Sequence, residues 1–591
     1  MSVPVAAPER RLSVSLVLVL AVLSAFGVRL TYVQAVAGPE LAEAALAVRL
    51  RTAVIDAPRG EILDSEGVVL ATSVLSVDVV VDQRQIPYFT HAPDGAQPRH
   101  GAAAAAALLA PLLGRDAREL GAELVGTRGY VVLAKGVSPE VWQQIKALDI
   151  PGMTAEHRSE RAYPAGNTAG NVIGFVGRDG YGLAGLELTL DDLLTGTDGE
   201  RTVEIGGAGQ VIPTGEQSRT EPVPGVSVHL TIERDLQWTA QQAVDSTVAR
   251  YGAQWAAVVV EEVATGRILA LADSGAVDPN KPGATPEDAR GSRAVQNVYE
   301  PGSTGKVATL ASAIEEGVIT PTSVFTVPYR YTTENGQVIT DHTEHPTQRL
   351  TTTGILTDSS NTGTVKIGQL MSDQTRYEYL QRFGLGQRTS LGLPGESRGI
   401  LHPPEAWDGR MRYTVMFGQG VAVNLVQNTG VLATLANGGV HVEPRLVDGY
   451  TEPDGSYREA QTGAQTQVVS QDTAQQMIRM MESVVADGTG KRAAIPGYRV
   501  AGKTGTAEVA DGAGGISATV ASFVGVTPAE APRIAVGVVV YKPTSGFFGG
   551  TIAAPIFHDV ASAALQSLGV APSTTQPQPY PLGPDDPAAA N

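Results

Sequence analysis

Residues 299–310 read YEPGSTGKVATL, and the architecture of the chain is best understood from this segment outward. Pro301 and Gly302 interrupt regular structure, and an apolar set at helical spacing then predicts a helix that begins near Ser303. The free N–H groups and the positive dipole end of its first turn favour a developing negative charge on the Ser303 hydroxyl. Lys306 lies about one turn further on, so its amine can reach the same hydroxyl. The spacing predicts a serine nucleophile with a lysine base, although a capping serine beside a solvated lysine has the same spacing. The apolar set is Val307, Leu310, Ala311 and Ile314.

Two other clusters carry residues suited to the same chemistry. Ser359 and Asn361 follow Asp358 in a break between helical patterns, where a hydroxyl and an amide can line a cleft. The second cluster follows a predicted strand, and it reads Lys503-Thr504-Gly505-Thr506. Its glycine permits close approach of a ligand to the backbone, and its lysine and two hydroxyls can hold a carboxylate. We therefore predict that three remote segments converge on one site.

Composition excludes several other kinds of function. The chain has 591 residues, enough for several domains, and a formal net charge of −18 with no run of Lys or Arg, which argues against a nucleic-acid surface. It contains no cysteine, so disulfides, thiolate metal sites and a cysteine nucleophile are excluded. The nine histidines show no ligand spacing, and we expect no metal and no cofactor.

The N-terminal segment carries the features of a membrane anchor. Residues 12–28 form an uncharged, mostly apolar run, LSVSLVLVLAVLSAFGV, and the pattern continues past Arg29 to Val33. The run is long enough to cross a bilayer, and the preceding Arg10-Arg11 pair predicts that residues 1–11 are a cytoplasmic tail. A cleaved signal peptide is the alternative, but the run is longer than a typical signal-peptide core. We predict a single transmembrane anchor over residues 12–33, with the rest of the chain extracytoplasmic.

The remaining chain divides by pattern into two domains and a tail. Residues 34–224 mix short strand and helix patterns without nucleophile–base spacing, so we predict a structural domain there. Residues 225–570 begin with a predicted hairpin, Ala256–Val260 with Arg267–Ala272, and strand-like runs return near residues 519–541. Strands at both ends with helices between them predict an antiparallel sheet packed against a helical lobe. Residues 571–591 are Pro-rich and polar, which predicts disorder.

The order Ser-x-x-Lys, Ser-x-Asn, Lys-Thr-Gly is the signature of penicillin-binding proteins and class A β-lactamases. The chain resembles a class B penicillin-binding protein over nearly its whole length, because four further segments match that family: RGEILDSEG at 59–67, GLAGLE at 182–187, YEPGSTGK at 299–306 and FGQG at 417–420. Glu300 before Pro301 is similar to the septal, FtsI-like branch, with an elongation-type transpeptidase as the alternative. The resemblance implies an α+β multidomain fold. Its parts are a single transmembrane helix, an elongated mixed α/β pedestal of the dimerisation type, and a penicillin-binding, serine β-lactamase-like transpeptidase domain with a five-stranded antiparallel sheet.

The resemblance also implies a serine-type D-Ala-D-Ala transpeptidase that cross-links peptidoglycan stem peptides in cell-wall synthesis, at the division septum. Ser303 forms the acyl-enzyme and Lys306 accepts its proton. Ser359 relays a proton to the departing D-Ala, while Asn361 orients Lys306 and binds the donor peptide. The substrate-binding residues implied are Lys503, Thr504, Gly505 and Thr506. The implied partners are stem peptides, β-lactams as covalent inhibitors, an FtsW-like glycan polymerase and other membrane proteins of the divisome.

Three other functions share part of this pattern: a hydrolase, a penicillin sensor and a nucleotide-binding loop. A D-Ala-D-Ala carboxypeptidase or a β-lactamase would use the same nucleophile but pass the acyl group to water. A penicillin sensor would need a cytoplasmic output domain, for which eleven N-terminal residues are too few. Residues 497–504 also fit the phosphate-loop pattern G-x-x-x-x-G-K-T, but such a loop requires a helix that opens at the lysine, and a strand-like run follows instead.

Overall fold

A computed structural model of the chain describes residues 8–92, 97–206, 211–510 and 516–586. The chain packs into two units. The smaller unit contains the segment up to Pro58, Ser76–Arg158 and Thr197–Val223. The larger unit contains Arg59–Leu75, Ser159–Gly196 and the chain from Pro224 onward. The predicted boundary at residue 224 therefore separates the units only in part, because two segments before it, Arg59–Leu75 and Ser159–Gly196, pack with the larger unit.

The smaller unit begins with a long apolar helix. Pro8–Thr31 is α-helical, a π-helical turn spans Tyr32–Val36, and a second α-helix spans Gly38–Arg49. Among the described residues, Glu9–Val36, with 28 residues, is the one helical span long and apolar enough to cross a membrane. A helix of this length reaches about 40 Å, more than the roughly 30 Å of a bilayer core. These properties fit the predicted single-pass anchor. The predicted N-terminal tail falls largely on residues 1–7, which lie outside the described residues.

The rest of the smaller unit is mixed α/β. One three-stranded antiparallel sheet has the order Leu50–Ile55, Gly199–Glu204, Gln217–Thr220. Elsewhere, helices pack on strand residues through a small apolar core that includes Val79, Leu109 and Ile145. Side chains of Asp116 and Ser138 cap two of these helices, as oxygen side chains commonly do at a first turn. These helices and strands are Gly101–Leu113, Ala117–Glu123, Pro139–Ala147, Thr90–His91, Arg99–His100 and Val131–Val137, with parts of Val69–Val81 and Met153–Ala162.

The larger unit is built on a five-stranded antiparallel sheet. Its strands, in chain order, are β1 (Trp255–Glu262), β2 (Ile268–Asp273), β3 (Ala501–Ala510), β4 (Ile516–Thr527) and β5 (Ile534–Tyr541). Their spatial order is β2-β1-β5-β4-β3, so β3 is an edge strand. The two halves of the sheet come from opposite ends of the domain. The predicted antiparallel sheet and the hairpin that opens it are both confirmed.

Helices cover both faces of the sheet because its strands are apolar on both sides. On one face, side chains such as Val258 and Val538 pack with helices α1 (Arg234–Tyr251) and α6 (Gly549–Ser567). On the other face, Val259 and Val539 join the large core of the helical lobe. The helices of this lobe that bear on the site are α2 (Lys306–Glu315), α3 (Asn361–Gly368), α4 (Leu425–Ala436) and α5 (Gln471–Ala486).

The other elements of the larger unit are short. Its remaining helices are Gly170–Ile173, Gly185–Thr189, Asp191–Leu194, Arg293–Gln296, Thr352–Thr357, Asp373–Arg382 and Met411–Thr414. Its remaining strands are Ile62–Leu63, Ser227–Leu230, Val324–Val327, Arg330–Thr332, Val338–Thr340, Gln348–Thr351, Val440–Val442, Val447–Thr451, Tyr457–Glu459 and Gln465–Gln467.

A buried ion-pair network joins two of the segments that carry the family resemblance. Glu187 of the GLAGLE segment is fully buried, and its two carboxylate oxygens accept from Arg59 Nε at 2.6 Å and Arg161 Nε at 2.7 Å. Tyr163 donates its hydroxyl to the same carboxylate at 3.3 Å. Because a buried charge requires such partners, this network ties the two segments to each other within the larger unit.

The C-terminal segment differs from its predicted disorder. Over residues 571–586 the chain is described, and Tyr580 is partly buried against the main core, with the Arg479 guanidinium 3.8 Å from its ring centroid. Backbone bonds from Ser573 N to Gly497 O (2.9 Å) and from Thr351 N to Leu582 O (3.0 Å) hold it further. Pro-rich chains lose little conformational entropy on ordering, so one aromatic anchor and a few hydrogen bonds suffice. Residues 587–591 lie outside the described residues.

Candidate active site

The nucleophile candidate lies in a tight turn at the start of a buried helix. Ser303 is in the 3₁₀ turn Gly302–Gly305, which runs directly into α2. Gly302 adopts φ of +54°, a left-handed conformation that glycine accepts without strain, and its N–H donates to Gly418 O at 2.9 Å. The helix is held in the core by every predicted apolar residue, namely Val307, Leu310, Ala311 and Ile314. The predicted helix start is thus confirmed, and Ser303 remains partly exposed.

Lys306 is completely buried beside the second cluster. Its Nζ donates to the Ser359 hydroxyl at 3.2 Å and to the Ser359 carbonyl oxygen. Burial, reinforced by the positive charge of Lys503, holds the pKa of Lys306 well below its usual range, and the negative charge of Asp341 opposes this shift. A lysine in this environment is readily neutral and can accept a proton. Within the described part of the chain, its hydrogen bonds go to Ser359 and not to Ser303.

Lys503 approaches the same hydroxyl from the sheet. It is completely buried in β3, and its Nζ donates to Ser359 Oγ at 2.9 Å and to Thr504 O at 3.2 Å. Burial lowers its pKa to about 7. The Ser359 hydroxyl therefore lies between two amines from remote parts of the sequence. This contact joins all three predicted clusters.

The backbone of β3 lies directly against the turn that carries Ser303. A methyl group added at Gly505 would lie 2.2 Å from Ser522 Oγ and 2.7 Å from Pro301 O, and one added at Gly302 would lie 2.8 Å from Thr506 O. Only glycine fits at such approaches. Because β3 is the sheet edge next to the turn, its outer backbone groups can pair with an extended peptide ligand.

The other predicted residues of β3 take up positions along the same edge. Thr504 Oγ1 shares a hydrogen bond with Thr489 Oγ1 at 2.6 Å, and Thr506 Oγ1 accepts from Gly549 N at 3.3 Å. Lys503 lies inside a strand and no helix opens there, so the segment 497–504 lacks the geometry of a phosphate loop. Among the described residues, no group of acidic, histidine or cysteine side chains could hold a metal ion.

Asn361 lies two residues after Ser359 but has a different contact from the expected one. It is the first residue of α3, and its side-chain N–H donates to Thr340 O at 3.0 Å. No hydrogen bond joins its side chain to Lys306 in the described residues. The orientation of Lys306 comes instead from Ser359, whose backbone and side chain both accept from its amine.

Sequence reasoning missed the contacts that support these clusters. Asp341, nearly buried, accepts from the backbone N–H of Asn361 and Thr362 at 2.5 and 2.9 Å, and it is paired with His345. Glu300 Oε1 accepts from Gly420 N at 2.8 Å, which ties the nucleophile turn to the FGQG segment. Asp341 lies about twenty residues from the nearest motif and has no periodic signal of its own, so only its position in the fold reveals it.

Two family models and several known proteins match this chain. Residues 54–230 match the penicillin-binding protein dimerisation domain, and residues 256–562 match the penicillin-binding protein transpeptidase domain. The chain is 37% identical to the penicillin-binding protein PbpB of Mycolicibacterium smegmatis, over 78% of this chain and 73% of that protein. It is 34% identical to the peptidoglycan D,D-transpeptidase FtsI of Escherichia coli, over 88% of this chain and 86% of that protein.

Solved structures agree with this result. The chain is similar to a peptidoglycan synthetase from Bifidobacterium adolescentis, with a TM-score of 0.72 and 37% identity, over 90% of this chain and 100% of that one. It is also similar to penicillin-binding protein 3 of Mycobacterium tuberculosis in complex with aztreonam, with a TM-score of 0.69 and 30% identity, over 90% of this chain and 100% of that one. The two domains, the convergent clusters and these relatives together lead to one conclusion: the chain belongs to the class B penicillin-binding proteins and is similar to their septal, FtsI-type branch.

Proposed function

We propose that this protein is a peptidoglycan D,D-transpeptidase that acts through an acyl-enzyme on Ser303. The observation that carries the proposal is the Ser359 hydroxyl, shared by Lys306 and Lys503 beside the turn of Ser303. Such a constellation supplies a nucleophile, a neutral amine base and a relay for a second proton. The D,D-transpeptidase activity named for the Escherichia coli relative supports the same reaction.

In the acylation step, Ser303 Oγ attacks the carbonyl carbon of the penultimate D-Ala of a donor stem peptide. The hydroxyl proton passes to neutral Lys306, whose pKa burial and the charge of Lys503 lower, so that the neutral amine can act as the base. The peptide C–N bond then breaks, and a proton delivered through Ser359 reaches the nitrogen of the departing D-Ala. The products are a Ser303 ester and free D-Ala.

Binding and charge stabilisation come from β3. Lys503, Thr504 and Thr506 hold the terminal carboxylate of the donor, while Gly505 leaves room for its backbone. The backbone N–H groups of Ser303 and Thr506 form the oxyanion hole, for which each donor contributes about 3–4 kcal/mol in other enzymes. Asn361, at the start of α3, binds the donor peptide. In the second step an amine of a neighbouring stem attacks the ester, which completes the cross-link and restores Ser303.

Labelling with a fluorescent penicillin tests the nucleophile. A β-lactam resembles the D-Ala-D-Ala end and leaves a slowly released acyl group on the serine. We expect Ser303→Ala to abolish labelling of the full-length protein in detergent, while Ser246→Ala, at an exposed position on α1, labels normally. Labelling that persists in Ser303→Ala refutes the assignment.

The fate of the acyl group distinguishes the proposed transferase from the hydrolases. We expect acyl-enzyme decay over many minutes, whereas a half-life of seconds indicates a β-lactamase. With a D-Ala-D-Ala stem peptide and an acceptor amine, we expect cross-linked product. Release of D-Ala that is independent of the acceptor, without cross-linking, indicates a carboxypeptidase.

We further propose a septal location with the catalytic unit outside the cytoplasm. The Arg10-Arg11 pair before the apolar helix supports a cytoplasmic N-terminus, an anchor over residues 12–33 and an extracytoplasmic remainder. Residues 34–224 then supply the pedestal, and an FtsW-like glycan polymerase with other divisome membrane proteins is the expected partner set. A fluorescent fusion that collects at mid-cell supports the septal role. Placement along the side wall favours the elongation-type alternative.

A further inference from the structure

The backbone of Ser359 is in an unfavourable conformation. Its φ of +61° lies in the left-handed region, which residues other than Gly, Asn and Asp rarely adopt. Such a conformation persists only where the surroundings impose it, and it is often found at functional sites. Here it places the Ser359 hydroxyl within reach of Lys306 and Lys503. Contacts from other segments must therefore hold the chain next to Ser359 in place.

Asp341 holds the chain that follows Ser359. Its Oδ1 accepts from the N–H groups of Asn361 and Thr362 at 2.5 and 2.9 Å, and its Oδ2 accepts from Ser360 Oγ at 2.7 Å. The carboxylate is only 8% exposed, so these bonds are little weakened by water. It also lies at the N-terminus of α3, where a negative charge is favourable.

His345 holds the carboxylate in turn. Its Nε2 is 3.0 Å from Asp341 Oδ2, and its Nδ1 is 2.7 Å from the carbonyl oxygen of Pro346. Both neighbours are acceptors, and only the doubly protonated imidazolium can donate to both. The charge of Asp358 and the edge of the Tyr329 ring, with ring centroids 6.1 Å apart, complete its surroundings. Burial disfavours the charged ring, but the bonds to Pro346 and Asp341 outweigh burial and raise the pKa of His345.

We propose that Asp341 and protonated His345 form a positioning pair that locks the Ser359–Asn361 segment in the conformation required for acyl transfer. The inference rests on the proposed acylation at Ser303. Asp341 touches neither the reacting atoms nor the nucleophile, so it is a positioning residue. It has a second, electrostatic effect, because its negative charge favours the protonated form of Lys306.

The first test is Asp341→Asn in the full-length protein in detergent. The readout is the second-order rate of labelling by a fluorescent penicillin from pH 5 to 9, with the melting temperature measured in parallel. Asparagine keeps one acceptor oxygen but loses the charge and the second acceptor. We expect the maximal rate to fall by about 10-fold to 100-fold, as for a catalytic group displaced by about 1 Å. We also expect the acid limb of the profile to move to lower pH, because Lys306 loses the anion that favours its charge.

The matched control is Asp358→Asn. This change removes one negative charge from the same neighbourhood without touching the amides of α3, and we expect less than a threefold effect, on the order of a surface charge pair. If wild-type and Asp341→Asn proteins label at the same rate with the same pH profile, the positioning role is refuted while the proposed function stands. If the wild type itself is not labelled, the proposed function fails first.

A second variant keeps the inference testable if Asp341→Asn does not fold. In His345→Gln the side-chain amide can still donate to Asp341, but the charge is lost. The ratio of wild-type to variant labelling rates should be about tenfold at pH 6, the value of one hydrogen bond to a charged group. It should fall toward one as pH rises above the pKa of His345, because the wild type then loses the same charge. A ratio that does not change with pH refutes the role of the imidazolium.

Discussion

Replacing Lys503 with Met separates the contribution of this lysine to catalysis from its cost to the folded state. The ammonium group is fully buried, and burial lowers its pKa from 10.5 to about 7. Methionine is unbranched and of similar length, so it can fill the same space without an ionisable group. We therefore expect the variant to be less active and more stable, a combination that is common where a site is built for function.

The magnitude follows from the two pKa values. Above pH 10.5, the pKa of the lysine in the unfolded chain, the amine is neutral in both states and its burial costs no ionisation free energy. Below pH 10.5 the unfolded chain gains a proton that the folded chain does not, so the free energy of unfolding decreases as pH falls to about 7. At pH 7 the difference corresponds to about 4 kcal/mol. The variant also loses the bonds from Nζ to Ser359 Oγ and Thr504 O, worth about 1 kcal/mol each. We expect a net gain of about 2 kcal/mol, or a rise in melting temperature of about 4 °C.

The assay combines melting curves with penicillin labelling of the full-length protein. We expect labelling to fall by about 100-fold or more, since Lys503 holds the carboxylate and donates to the Ser359 hydroxyl. The gain in stability should shrink as pH rises from 7 to 10, because the pH then approaches the unfolded-state pKa of 10.5 and the cost of keeping the folded-state lysine neutral falls. Lys491→Met, at an exposed position, serves as the control and should change neither quantity. A lower melting temperature with unchanged labelling would contradict both parts of the reasoning.

Three further changes test other parts of the structure. Gly302→Ala puts a methyl group at a left-handed residue 2.8 Å from Thr506 O, so labelling should slow by about tenfold or more and the melting temperature should fall by roughly 2–4 °C. Glu261→Gln removes a buried carboxyl whose pKa burial raises to about 8. The wild type should lose stability as pH rises from 4.5 to 8, because the unfolded chain then releases a proton that the folded chain keeps. The difference in free energy of unfolding between variant and wild type, measured with denaturant, should therefore grow by about 3 kcal/mol between pH 5 and 8. Glu187→Ala leaves Arg161 buried without its carboxylate and Arg59 with Asp191 alone, and should destabilise the larger unit by about 3–5 kcal/mol; an unchanged unfolding midpoint rules out a structural role for this network.

Much of the fold is readable from local patterns. Apolar residues at helical spacing after Gly302 predict α2, and the strand-like runs at the two ends of the domain predict a closed antiparallel sheet; both are present. The physical reason is that side-chain periodicity determines which face of an element is buried, whatever its partner. The boundary between the two units could not be predicted from local patterns, because residues 59–75 and 159–196 pack with the larger unit through contacts remote in sequence. The predicted disorder of the C-terminal segment is wrong over residues 571–586. A Pro-rich, polar composition indicates a tendency to be disordered, but it does not reveal that the core offers a packing surface for Tyr580.

For the site, the sequence by itself determined the chemical groups: a serine and a lysine one turn apart, a hydroxyl–amide cluster, and a lysine with hydroxyls on a strand. Spacing within a helix or strand places neighbours on one face, so these pairs follow from local geometry. Only the tertiary structure decided that Lys306 and Lys503 both donate to Ser359, that Ser359 is left-handed, and that Asp341 and His345 support it. Burial, strain and pairing between remote segments depend on how the whole chain packs, and packing has no signature in any short stretch of residues.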